Sequence, residues 1–137
     1  MLVKKHISQM TEQEKRFIEE IILPKVKVRF MTIHAREQAQ ARDIHYRLKD
    51  FQEEICIENL IELNNNNGRM AMLFTSKKVV RNKYKGKAHV KFVVGCTNGI
   101  VSTWANNVKD NHKTLDMNQY NANANVKEMA REYLKRN

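Results

Sequence analysis

The densest group of reactive side chains in the sequence is the run Lys109-Asp110-Asn111-His112-Lys113-Thr114-Leu115-Asp116. Cleaving RNA without a metal requires a base for the 2′-hydroxyl proton, cations to stabilise the phosphorane, and an acid for the leaving 5′-oxygen. His112 can act as base or acid because an unperturbed imidazole titrates near neutrality. Lys113 can neutralise phosphate oxygens and Thr114 can donate a hydrogen bond to them. The competing reading is a solvated loop in which Asp110, Asn111 and Thr114 make turns. His34 is a second catalytic candidate, since it opens a helix whose first amides favour an anion, and Arg36 and Arg42 can line the other wall of a phosphate site. The plainer reading of His34 is a surface or capping residue.

A basic stripe, Lys77, Lys78, Arg81, Lys83, Lys85, Lys87 and Lys91, is the third feature. Residues two apart in a strand share a face, so Arg81, Lys83 and Lys85 are expected side by side, placed to lie along a phosphate backbone. Exposed lysines on an edge strand also serve simply to block aggregation. Tyr84, Trp104 and Tyr120 can offer stacking surfaces to unpaired bases, or can fill core and rim. His6 falls in an N-terminal leader and His89 on a strand, where a packing role is at least as good a reading as catalysis. No metal is expected, because His or carboxylate pairs show the i, i+4 spacing of a helix site only by accident and Cys56 and Cys96 stand 40 positions apart. Four glycines and one proline leave no Walker loop and no dinucleotide fingerprint, so no cofactor is expected either.

These side chains have to be positioned by a small number of elements. Thr11 to Glu14 reads as a capping box, followed by Phe17, Ile18, Ile21 and Ile22 at helical spacing, and Pro24 ends that helix. Lys25 to Met31 alternates like a half-buried strand, Thr32 caps a helix running to about His45, and Asp50 and Glu53 open a third helix carrying Phe51, Ile55, Leu60 and Ile61. After Gly68 the period becomes two, giving strands over 69–75, 78–84, 87–95 and 99–106, with Lys85-Gly86 and Asn98-Gly99 as tight turns. Asn125 to Arg136 returns to a helix with Val126, Met129, Ala130, Tyr133 and Leu134 inward. The expected fold is α+β: N-terminal helices, an antiparallel four-stranded meander with one face open, and a C-terminal helix.

Length and composition agree with a single domain over 1–137, made of a helical extension (1–24), a core (25–106), and a polar loop with the last helix (107–137). The formal charge of +10 makes a polyanion the first partner to consider, nucleic acid ahead of membrane. No apolar run reaches bilayer length and the first ten residues, MLVKKHISQM, lack the apolar block of a secretory signal, so a cytoplasmic product is expected.

The run from Val28 to Ile44, with His34, Ala35 and Arg42 in a strand-then-H-A-x-x-R-x-x-x-R-G-I pattern, resembles the opening of small domains grouped with RelE-type toxins. These belong to the barnase, EndoU and RelE-like class of metal-independent endoribonucleases. Gln38 and Asp43 depart from the pattern, replacing its first arginine and its glycine. The resemblance covers about residues 25–106 and implies a RelE-like sheet whose open face receives RNA in preference to DNA. It places His34 and Arg42 in the motif and Thr103 where the last strand often bears Ser or Thr. Small lysine- and asparagine-rich chains also resemble phage and mobile-element proteins, which brings in a non-catalytic regulator that binds nucleic acid, a host protein or an antitoxin through the same basic face. A homodimer through the first helix is a further expectation.

Overall fold

The structure is a computed structural model that describes residues 1–110 and 116–137. Six strands form one mixed sheet in the order β1-β3-β4-β5-β6-β2, with β1 Leu2–His6, β2 Phe30–Met31, β3 Leu60–Asn66, β4 Arg69–Asn82, β5 Gly86–Val94 and β6 Gly99–Asn107. Only the β2–β6 ladder is parallel; the others are antiparallel. The helices are α1 Glu12–Phe17, α2 Ile33–Ala41, α3 Leu48–Glu53 and α4 Val126–Arg136. No helix among the described residues is long and apolar enough to cross a membrane.

The α+β class stands, while the four-stranded sheet needs correction. Residues 69–75 and 78–84, expected as two strands, belong to one strand, β4, which bends at a bulge between Thr75 and Val79 and ends at Asn82. Ser76 fills the bulge: its Oγ donates to Lys78 O and accepts from Val90 N–H, so the chain crosses the irregularity with those groups paired. Leu60–Asn66, expected as the end of a helix, is β3 instead. Three of the four asparagines, Asn64 to Asn66, lie in this strand, and Asn67 and Gly68 after it form a two-residue hairpin turn with φ +55° and +90°. Both central residues of a type I′ turn need positive φ, which asparagine and glycine accept.

The N-terminal leader is likewise part of the sheet, because β1 runs along β3 from Leu2 opposite Asn66 to His6 opposite Glu62. The strand expected over Lys25–Met31 shrinks to the two residues that meet Gly99 and Ile100. A Cβ on Gly99 would lie 2.4 Å from the Phe30 ring, so this close approach depends on glycine.

The helix starts follow the sequence. Thr11 Oγ1 accepts from Glu14 N–H at 3.1 Å while Glu14 Oε1 accepts from Thr11 N–H at 2.9 Å. From Phe17 the chain widens into a π turn over Ile18–Ile22 and stops at Pro24. Thr32 caps α2 and Asn125 caps α4 through their side chains. The second helix ends four residues before His45 because the chain leaves helical geometry at Arg42 and Asp43 takes φ +58°.

All four helices contribute to one core on one sheet face, where Phe51 meets Phe92 edge-on at 5.0 Å and Phe92 stacks on Phe74 at 5.4 Å. Ile18 and Ile22, two of the four residues expected to dock on a neighbouring copy, are fully buried in this core. This part of the first helix's apolar side is spent on its own chain, and Ile21 is left exposed. One loop ties several of these parts together. Asn98, at φ +66°, donates from Nδ2 to Lys25 O and Asn137 Oδ1, and its Oδ1 accepts from the Tyr133 hydroxyl at 2.5 Å. Burial pushes the Tyr133 hydroxyl up to about 12, so it remains a donor across the working pH range.

On the same face β1 contributes a buried cation. Lys5 Nζ lies 2.8 Å from Glu14 Oε2 and also donates to Ala124 O at 2.8 Å. Burial alone would raise the Glu14 carboxyl, but hydrogen bonds from Lys5 and Thr11 outweigh it and hold the carboxyl below its ordinary 4.5. A depressed carboxyl means that unfolding takes up a proton in acid. The stability this pair supplies is complete above 4.5 and drains as pH falls through the lower folded value. Urea midpoints should therefore drop as pH falls below about 5, and Glu14→Gln should flatten that drop while lowering the neutral-pH midpoint, because Lys5 is then buried without its counter-charge. An unaltered acid limb in the variant would show that Glu14 does not carry the effect.

Candidate nucleic-acid interface

From Leu63 to Lys109 the chain has nine Lys and Arg and not one Asp or Glu. The other ninety residues are close to balance, with sixteen basic and fifteen acidic side chains, so the net charge of the protein sits almost wholly in β4, β5, β6 and their flanks. Six of the nine cations fall between Lys77 and Lys87. Among the described residues none of these six forms an ion pair. Two carboxylates do reach the segment, but they accept from main-chain amides: Glu54 from Lys77 N–H at 2.5 Å and Asp43 from Lys83 N–H at 2.7 Å.

The register places part of this charge on the face opposite the helices. Arg81 stands directly across from Lys87, an arrangement of like charges that costs a sheet stability unless an anion lies over it. They line a shallow hollow of about 500 Å³ with Val79, His89 and Val108. Two rows along, past Val79, His89 and Asn106, Thr75, Lys91 and Trp104 lie across β4, β5 and β6. Lys91 is enclosed, donating to Thr75 Oγ1 at 2.9 Å, and burial lowers its pKa against the pull of Asp110.

A larger groove, of about 680 Å³, opens where this face meets the free edge of β6. Beyond its two-residue pairing with β2, the outer edge of β6 is served by α2. Gln38 Oε1 accepts from Thr103 N–H at 3.0 Å and Arg42 Nη1 donates to Thr103 O at 2.9 Å, so two side chains stand in for a neighbouring strand. At the other end of the groove Asn82 shapes the β4–β5 turn, accepting from Tyr84 N–H and Lys85 N–H and donating to Arg42 O and Asp43 O. Tyr84, Lys85, Arg42, Ser102, Trp104 and Asn106 border the opening.

Family models, curated proteins and solved structures give no match to this chain. Arg42, Lys85, Tyr84 and Trp104 come together around the groove, with Arg81 on the adjoining face. Lys83 lies in the turn, its ammonium 5.6 Å from the centre of the Tyr84 ring, and does not share a strand face with Arg81 because β4 has ended. Arg36 projects from the solvent side of α2 and does not border the groove. His34 Nε2 meets Gln38 Nε2 at 2.9 Å, so its ring supports the glutamine that caps Thr103.

Two expectations are corrected by burial. Thr103 is fully enclosed, with its hydroxyl donating to Lys91 O at 2.8 Å and its main chain held by α2, so no surface remains to touch a ligand. Tyr120 lies by β1 and β3, away from the basic hairpin, where its hydroxyl donates to the buried Glu62 at 2.6 Å and its ring meets His6 edge-on at 5.3 Å. Burial and the Glu62 carboxylate raise its pKa, and it offers no free stacking face to the groove. His112, Lys113 and Thr114 lie outside the described residues. Ser102 and Asn106 escaped notice in the sequence, although their positions two residues either side of Trp104 put them on its strand face.

Proposed function

We propose that this protein binds nucleic acid, RNA foremost, through the β4–β5 hairpin and the adjoining edge of β6. The carrying observation is the acid-free stretch from Leu63 to Lys109, whose six hairpin cations have no ion-pair partners among the described residues. A protein that leaves so many cations unpaired on one segment gives up stability and gains attraction for a dense anion. Arg81 and Lys87 would meet phosphates on the open face, Lys83 and Lys85 at the turn, and Arg42 at the groove.

The resemblance of residues 28–44 to the RelE-like opening supports RNA as the polyanion and extends the reading to metal-independent cleavage. Binding and turnover separate in one assay. End-labelled single-stranded RNA incubated with protein in EDTA should be retained on a filter, and log affinity should fall with log salt at a slope of several units. Fragments ending in 2′,3′-cyclic phosphate would add the endonuclease; intact RNA leaves a binding protein. A shallow slope, with preference for an acidic protein surface over RNA, would overturn the nucleic-acid reading.

A further inference from the structure

We propose that the groove between α2, the β4–β5 turn and the free edge of β6 holds one unpaired nucleobase stacked on Trp104, so that the protein selects single strands over duplexes. The inference rests on the nucleic-acid reading above and adds what that reading leaves open, the strandedness of the ligand.

The groove has the size and the surfaces for it. About 680 Å³ accommodates a nucleotide, and small-ligand sites of this volume combine flat apolar walls with a few placed polar groups. Trp104 provides a partly buried indole on the sheet face and Tyr84, 61% exposed, a second ring at the turn. Lys85 and Arg42 supply positive charge at the rim, where the sugar-phosphate chain of a stacked base would leave.

The polar groups around the groove divide into committed and uncommitted. Gln38 is bonded at both ends, to Thr103 and to His34, and Asn82 is bonded through both its amide nitrogen and oxygen. The Ser102 hydroxyl, the Asn106 amide and the Trp104 indole N–H have no hydrogen-bond partner among the described residues, and none is a sealed, unsatisfied atom. Because these three occupy successive same-face positions on β6, a base lying on the indole has a hydroxyl on one side and an amide on the other. From Trp104, Arg81 lies two strands across and four residue positions along the ladder, roughly 16 Å away, which suits a phosphate a few nucleotides from the stacked base.

A base inside a duplex already stacks on its neighbours and cannot present a face to Trp104, whereas a base in a single strand can. Phosphate attraction alone draws no such distinction.

Trp104 is the only tryptophan of the chain, so its emission reports on this groove alone. Titrating the protein with a short oligoadenylate should quench that emission saturably, at the concentrations where a gel-shift shows binding. The same oligoadenylate annealed to its complement should bind about tenfold more weakly and leave the emission unchanged. Trp104→Ala should cost single-strand affinity about tenfold or more and duplex affinity little, while Trp104→Phe keeps most of the preference. Equal quenching by duplex, or tight single-strand binding with silent emission in the unsubstituted protein, would overturn the inference while leaving nucleic-acid binding in place. Absence of binding by either form would instead remove the reading on which it rests.

Discussion

Arg81→Glu combined with Lys87→Glu should weaken RNA binding by about a hundredfold at moderate salt and lower the slope of log affinity against log salt by about two. The single change Arg81→Glu carries a sharper signature. Arg81 and Lys87 face each other across the β4–β5 ladder, so the substitution exchanges a repulsive pair for an attractive one. Thermal stability should rise by a few tenths of a kcal/mol up to about 1 kcal/mol, while RNA affinity falls. Opposite movements of stability and affinity identify a pair kept for its ligand. If affinity is untouched while stability rises, the two cations are only a tolerated flaw of the sheet, and the open face is not where phosphate lies. Denaturation curves and filter binding on the same preparations decide between these outcomes.

The largest loss of stability is expected at Asn98→Ala, about 4 kcal/mol by urea denaturation. Two independent costs combine there. Asn98 holds φ +66°, a conformation asparagine accepts more readily than alanine. Its side chain also joins three parts of the chain, donating to Lys25 O before β2 and to Asn137 after α4, and accepting from Tyr133 within α4. Truncation leaves the buried Tyr133 hydroxyl with a weak contact to Lys25 O at 3.4 Å. Asn98→Gly, which removes the hydrogen bonds and relieves the backbone, should recover about 1 kcal/mol of the loss. Equal losses for the two variants would mean that the backbone conformation contributes nothing.

How much of this was legible before the fold was known depends on how local each signal is. Strands β5 and β6 and helix α4 were readable because alternation, or a 3.6-residue stripe beginning at an asparagine cap, runs unbroken between turn residues. Strand β3 is masked in the sequence because Phe51, Ile55, Leu60 and Ile61 give a helix-like apolar pattern, although Phe51 belongs to α3 and Leu60 to a strand. Strand β1 carries little pattern of its own and exists through its partner some sixty residues later. At the site, Arg42, Lys85, Tyr84 and Trp104 were identifiable by type, and the fold brings them together. Thr103 and Tyr120 have equally suitable chemistry, but burial and bonding within the chain consume it, and residue type carries no sign of that. Gln38 looked like a flaw in a motif, yet its amide spans from His34 to the β6 edge, where an arginine has no acceptor to offer Thr103 N–H.

The separation of charge between the acid-free strands and the nearly neutral remainder bears on kinetics as well as on contact. A molecule so polarised is turned by the field of an approaching polyanion before the two touch, and a larger share of collisions arrives hairpin-first. Added electrolyte should then slow the rate of encounter more than it hastens departure, so the protein would find its target quickly in dilute buffer and by unguided diffusion in brine.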